Sequence, residues 1–168
     1  LGDVYKRQTP YQAAIDAAIR NGATITVAAG NDNTWSDGFA PASCRGVITV
    51  GATGPHGHRS SYSNFGDNVD IGAPGGDMSP VTGGFNRAGS ILSTVNAGQY
   101  NPTNPTFGYM DGTSMATPVV SGVVALMKSV NPALSNDEIE RILKETSTSY
   151  TREPVSYTHL RAHETDSY

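Results

Sequence analysis

Apolar positions change their spacing several times along the chain, and each change predicts an element. Thr9 can cap a helix with Pro10 in its first turn, Ala14, Ile15, Ala18 and Ile19 share one face, and Gly22 is a natural stop. A helix is expected over residues 10–21. "TITVAAG" (Thr24–Gly30) and "GVITVGAT" (Gly46–Thr53) are β-branched and apolar on both faces, which suits strands buried between helical layers. "NVDIGAPGG" and "SILSTV" are shorter strand candidates. Between Met115 and Val130, residues Met115, Val119, Val120, Val123, Val124, Leu126, Met127 and Val130 cover nearly the whole helical circumference. Ser121, Gly122 and Ala125 are small enough for close packing, so this helix belongs inside the protein. "LSNDEIERILKET" offers Ser135 and Glu138 as a capping box, with Ile139, Ile142 and Leu143 on one face of a peripheral amphipathic helix. The order of elements reads as an α/β layered structure with a mostly parallel sheet and a buried central helix. No internal repeat appears.

Composition narrows the class. At 168 residues the chain suits one core, and its 15% charged residues lie well below the roughly 25% of an ordinary globular protein. With 19 glycines and 10 prolines it should be compact, loop-rich and weakly charged. A net charge of -4 gives no electrostatic footprint for nucleic acid, and no basic amphipathic stretch suggests a membrane surface. No apolar run approaches the roughly 18 residues of a spanning helix, and no signal-peptide pattern opens the chain. Cys44 reads equally as a buried thiol or as half of a disulfide with a partner elsewhere. The ends stand apart. "LGDVYKRQ" (1–8) and "VSYTHLRAHETDSY" (155–168) lead into no periodic pattern and resemble translated sequencing-library adapter, so both are expected to be non-native and 9–154 to be the folding segment. Disordered native termini are the alternative.

Candidate chemistry begins at "GTSMATPVVSGVVALM". Ser114 sits at the N-terminus of the apolar helix, where unpaired backbone N–H groups and the positive end of the helix dipole would stabilise a developing oxyanion. Thr113 or Ser114 could equally be a simple helix cap. In "VAAGNDN", Asn31 follows a buried strand, and ligands of open parallel sheets bind beyond the carboxyl ends of strands. An Asn side-chain amide together with the Ser114 N–H would supply two donors to a tetrahedral oxygen, although Gly-Asn after a strand is also a common turn.

"GTSMATP" before a small, apolar helix, with "AAGNDN", "ITVGAT", "YSNFG" and "APGG" upstream in that order, resembles the C-terminal part of the catalytic domain of the subtilase family, the subtilisin-like serine endopeptidases. The resemblance covers nearly all of residues 9–150 and implies an incomplete subtilisin-like layered fold, with 9–154 as the C-terminal part of a peptidase domain. It also implies Ser114 as nucleophile, Asn31 as oxyanion-hole side chain and Thr113 as neighbour of that hole. Gly112 would permit close approach of backbone and substrate, and Ala28, Ala29 and Gly30 would line the primary specificity pocket. Met115 would sit beside the nucleophile, where its thioether can be oxidised. A secreted monomer acting on protein or peptide substrates follows from the resemblance, as does structural calcium; no metal site is assigned to particular residues.

Departures from the family pattern matter as much. A serine nucleophile needs a histidine base and an orienting carboxylate, and in subtilases both motifs precede the serine. Neither motif is present. His159 and His163 lie in the tail, while His56 and His58 occupy the loop "GATGPHGHRSSYSNFG". Val119 stands where many members carry a non-catalytic histidine. The chain alone is therefore expected to be inactive, with Asp and His encoded outside it; a catalytically dead binding or scaffolding module is the alternative. Weaker signals are a His56/His58 metal pair, a phosphate-loop mimic at Gly51, Gly54 and Gly57, and oxygen ligands at Asp32, Asn33 and Asp37. Trp35 and Phe39 would flank the substrate cleft or pack beneath it, and "GGDMSPVTGGFNRAG" reads as a surface loop.

Overall fold

A computed structural model describes residues 2–77, 89–98, 100–149 and 158–159. Helix α1 spans Gly2–Arg20, followed by strands β1 (Thr26–Ala28), β2 (Ile48–Thr53) and β3 (Ile71–Pro74). Strands β4 (Ile91–Asn96) and β5 (Pro105–Met110) precede helices α2 (Thr113–Val130) and α3 (Asn136–Thr146) and the short strands β6 (Thr148–Ser149) and β7 (Thr158–His159). The main sheet has the order β1-β2-β3-β7-β6, parallel from β1 to β7 and antiparallel between β7 and β6. The α/β layering with a mostly parallel sheet is thus as the apolar pattern implies. Strand β2 is buried along its entire length because it lies between β1 and β3 and under α2. At the edge of the sheet, β1 alternates half-buried and buried.

Two boundaries differ from the sequence reading. Helix α1 starts at Gly2 rather than near residue 10, with Pro10 inside it. No Gly or Pro interrupts residues 3–9, and a single proline removes only one backbone donor. Its buried stripe is narrow: Ile15 is buried, Ala18 and Ile19 half-buried, and Ala14 exposed. Thr158–His159 pairs with β3 and β6 over two residues only, too short a run for alternation to leave a mark in the sequence pattern.

The principal core joins Ile48, Val50 and Ala52 of β2, Ile71 and Ala73 of β3, Ala116, Val120 and Val124 of α2, and Ile139 and Leu143 of α3. Helix α2 corrects an expectation. Among the described residues only its inner side is covered, while Val119, Leu126 and Val130 are 38%, 68% and 87% exposed. At 18 residues it is also long and apolar enough to cross a membrane by length and composition, contrary to the sequence reading, yet its inner face packs as that of a core helix. A second cluster holds Cys44 among Ile15, Val27, Ala42 and Val47 as a free, buried thiol. Burial, and then the nearby Asp16 carboxylate, push that thiol's pKa up.

Helix α3 has the capping box its sequence announces: Ser135 Oγ accepts from the Glu138 N–H, and Glu138 Oε2 accepts from the Ser135 N–H. Lys144 donates to Asp70 Oδ1 at 2.7 Å, and Asp70 Oδ2 accepts from the Thr49 N–H at 2.8 Å, tying α3 to the sheet. Strand β5 was not anticipated. It pairs antiparallel with β4 as a separate two-stranded ribbon, Leu92 opposite Tyr109 and Thr94 opposite Phe107. Most of the expected surface loop 75–89 lies outside the described residues, but Gly75 and Gly76 are buried. The Tyr62 hydroxyl lies 2.8 Å from the Gly75 carbonyl and 2.7 Å from that of Gly76, and donates to this carbonyl pair.

Two measurements follow from this packing. Ile139 is wholly buried, so Ile139→Ala should lower stability by about 2–5 kcal/mol. Chemical denaturation should show a lower midpoint at unchanged slope, and an unshifted midpoint would remove α3 from the core. Burial, reinforced by the Asp111 and Asp77 carboxylates, pushes the Tyr62 phenol up to about 12. Because the folded value exceeds the ordinary one, the associated stability is full below pH ~10 and is lost as pH rises through the folded value. Between those limits the protein should lose stability more steeply than its Tyr62→Phe variant; parallel curves would contradict the assignment.

Candidate active site

Three chain segments meet at the carboxyl edge of the sheet: the turn after β1, the Gly75–Gly76 pair after β3, and the start of α2. The Gly112 N–H donates to the Gly75 carbonyl at 2.9 Å. A Cβ on Gly75 would stand 2.6 Å from the Ala52 Cβ and 2.8 Å from the Gly112 carbonyl oxygen, so the approach requires glycine. Gly112 itself, with φ 156° and ψ 156°, occupies a backbone region essentially reserved to glycine.

The first-turn donors of α2 are unequally used. The Thr113 N–H donates to Asn31 Oδ1 at 2.9 Å, and the Met115 and Ala116 N–H groups both reach the Gly112 carbonyl. The Ser114 N–H has no acceptor among the described residues. Asn31 Oδ1 also accepts from Thr113 Oγ1 at 2.8 Å, which commits its oxygen to α2 and leaves Nδ2 without an acceptor among the described residues. A Cβ on Gly112 would lie 3.5 Å from Asn31 Nδ2, 3.6 Å from the Ser114 nitrogen and 3.5 Å from Met115 Sδ. Two uncommitted donors therefore border one small space that glycine keeps open, beside the exposed Ser114 side chain.

The structure thus brings Asn31, Gly112, Thr113, Ser114 and Met115 together. Gly30 joins them, its N–H donating to Thr113 Oγ1 at 3.3 Å, and both Ala28 and Gly30 are half-buried. Ala29 departs from the expectation of a pocket-lining side chain: it is wholly buried with Val69 and Phe65, because the chain is still in strand-like alternation there. Trp35 is 58% exposed and packs on Phe65 with centroids 5.3 Å apart, whereas Phe39 packs beneath Gly30. Among the described side chains, no histidine or carboxylate hydrogen-bonds to Ser114. His56 and His58 are exposed with rings 5.8 Å apart, and no cluster of three His, Cys, Asp or Glu exists among the described residues. Those residues therefore do not fit a carboxylate cage for calcium. Gly51 lies inside β2, and the Gly54 and Gly57 N–H groups bond to loop carbonyls, so no phosphate cradle forms. Sequence reasoning missed the closing roles of Gly75 and Gly76; the "APGG" pair was their only signal.

Known proteins resemble this chain over most of its length. The subtilase family model matches residues 1–162. An extracellular protease of Xanthomonas campestris pv. campestris is 44% identical over 147 residues, covering 87% of this chain and 23% of that protein. Subtilisin Savinase of Lederbergia lenta is 35% identical over 82% of this chain and 44% of its own length. The solved structure of a protease from Pseudoalteromonas arctica PAMC 21717 superposes with a TM-score of 0.76 at 45% identity, covering 83% of this chain and 40% of that one. The chain thus spans less than half the length of these relatives, and over that span it belongs to the subtilase family.

Proposed function

We propose that this chain is the part of a subtilisin-like serine endopeptidase that carries the nucleophile and the oxyanion site. Ser114 Oγ attacks the scissile carbonyl, and the carbonyl oxygen becomes an oxyanion in the space over Gly112, accepting from the Ser114 N–H and Asn31 Nδ2. Both donors are held in place before substrate arrives and avoid reorganisation at the moment of reaction. Thr113 supports the reading by binding Asn31 Oδ1, which turns the donor end of the amide toward the site. The observation that carries the proposal is the Ser114 N–H, which has no acceptor among the described residues in an otherwise satisfied first turn. The amine leaves with the proton taken from Ser114, an ester to Ser114 remains, and water releases the acid product. The histidine that takes the serine proton and the carboxylate that orients it come from sequence outside these 168 residues. Ala28 and Gly30 flank the substrate side chain, and the Met115 thioether borders the nucleophile. Protein or peptide substrates and secretion are supported by the family and by relatives named as extracellular proteases.

The full-length parent should be labelled by an active-site-directed phosphonate, and Ser114→Ala should abolish labelling. Asn31→Ala should lower kcat about 10²- to 10³-fold with little change in KM. The 168-residue chain alone should take no label. Undiminished labelling of Ser114→Ala would sink the proposal, and a full-length parent that takes no label would favour a catalytically inactive binding module.

A further inference from the structure

We infer that Asn64 is a positioning residue for the oxyanion-binding amide of Asn31, an inference that rests on the reading just given. Asn64 is wholly buried. Its Oδ1 accepts from the Asp32 N–H at 2.9 Å and the Thr34 N–H at 3.2 Å, and its Nδ2 donates to the Ala29 carbonyl at 3.0 Å. The Asn64 backbone N–H donates to the Gly30 carbonyl at 2.9 Å. One residue thereby holds positions 29, 30, 32 and 34, on both sides of Asn31, and leaves the Asn31 side chain free to face α2. Thr113 grips that side chain from the other end. Gly30 completes the fit: its φ is +106°, and a Cβ there would collide with the Asn64 amide.

An interior amide serving only the fold would affect stability but not the chemistry of correctly folded molecules. Asn64 sets where Asn31 Nδ2 stands relative to the Ser114 N–H, and misplacement by an ångström at such a site costs on the order of 100-fold in rate. Asn64→Asp keeps both acceptor bonds while setting a carboxylate against the Ala29 carbonyl; Asn64→Ala removes all three side-chain bonds.

The test uses the full-length parent, with kcat expressed per phosphonate-titrated site. Asn64→Ala should lower kcat roughly 10- to 100-fold with KM within about twofold, and Asn64→Asp should fall between it and the parent. In an Asn31→Ala background the same substitutions should cost less than about twofold, since their effect passes through the amide already removed. Equal losses in both backgrounds, or unchanged kcat per titrated site, would overturn the inference. Should Asn64→Ala not fold, Asn64→Asp carries the comparison. Should the parent prove inactive, the endopeptidase reading fails separately. The Asn31 side-chain amide resonances still decide the positioning role: displacement or broadening in Asn64→Asp supports it, and unchanged resonances overturn it.

Discussion

The close approach of Gly75 and Gly112 is the constraint on which the rest of the site depends. The end of β3 and the start of α2 touch through backbone, with the Gly112 N–H bonded to the Gly75 carbonyl and no room for a Cβ on Gly75. This contact fixes where the first turn of α2 begins relative to the sheet. Asn31, at the end of the next strand but one, can then reach Thr113 with its amide oxygen. Were α2 about an ångström further out, both bonds from Thr113 to Asn31 Oδ1, now 2.9 and 2.8 Å, would be broken and the amide would lose its orientation. The Tyr62 hydroxyl reinforces the same corner by donating to the paired Gly75 and Gly76 carbonyls, which ties the loop after β2 to the end of β3.

Helix α2 performs two tasks that place different demands on its sequence. Its first turn needs open backbone and small residues, which Gly112, Thr113 and Ser114 provide. Further along, Ala116, Val120 and Val124 lie on β1, β2 and β3 and hold the helix down through apolar burial. The remaining faces also carry large apolar residues, and the described residues leave Val119, Leu126 and Val130 exposed. Periodicity reports the environment for which a sequence is suited, so a helix apolar all round reads as buried whichever neighbours are present.

Local chemistry made much of the fold legible. The capping box at Ser135, the apolar run Ile48–Thr53 and the stripe of α3 each leave a pattern among residues close in sequence, even where, as in β2, the burial itself comes from distant elements. Strand β5 escaped because "PTFGYM" contains proline and glycine and pairs only within a ribbon, where burial imposes no alternation. Ser114 and Asn31 were legible as a pair only through ordered family motifs, since neither residue's immediate surroundings distinguish a site from a cap or a turn. Asn64 was less visible still: its partners lie 30 to 35 residues upstream, and "YSNFG" reads locally as a polar turn. Ala29 shows the converse, a residue inside a functional motif whose side chain serves the core.

The distribution of hydrogen bonds separates two halves of acyl-transfer chemistry. Stabilising an oxyanion requires donors that are fixed but uncommitted, and rigid elements supply that by spending neighbouring bonds on structure: among the described residues the Thr113, Met115 and Ala116 N–H groups find acceptors and the Ser114 N–H does not. Activating a hydroxyl instead requires a base that accepts a proton and gives it up again, and the described side chains hold none against Ser114. The first task is electrostatic and can be built from backbone, glycine and neutral amides, so a segment poor in charge is compatible with it. Proton transfer cannot be built from those groups, because none of them titrates near neutral pH. On the proposed reading, a segment of this composition is suited to the electrostatic half of the reaction, while the proton-transfer half needs titratable side chains that the described residues do not place against Ser114.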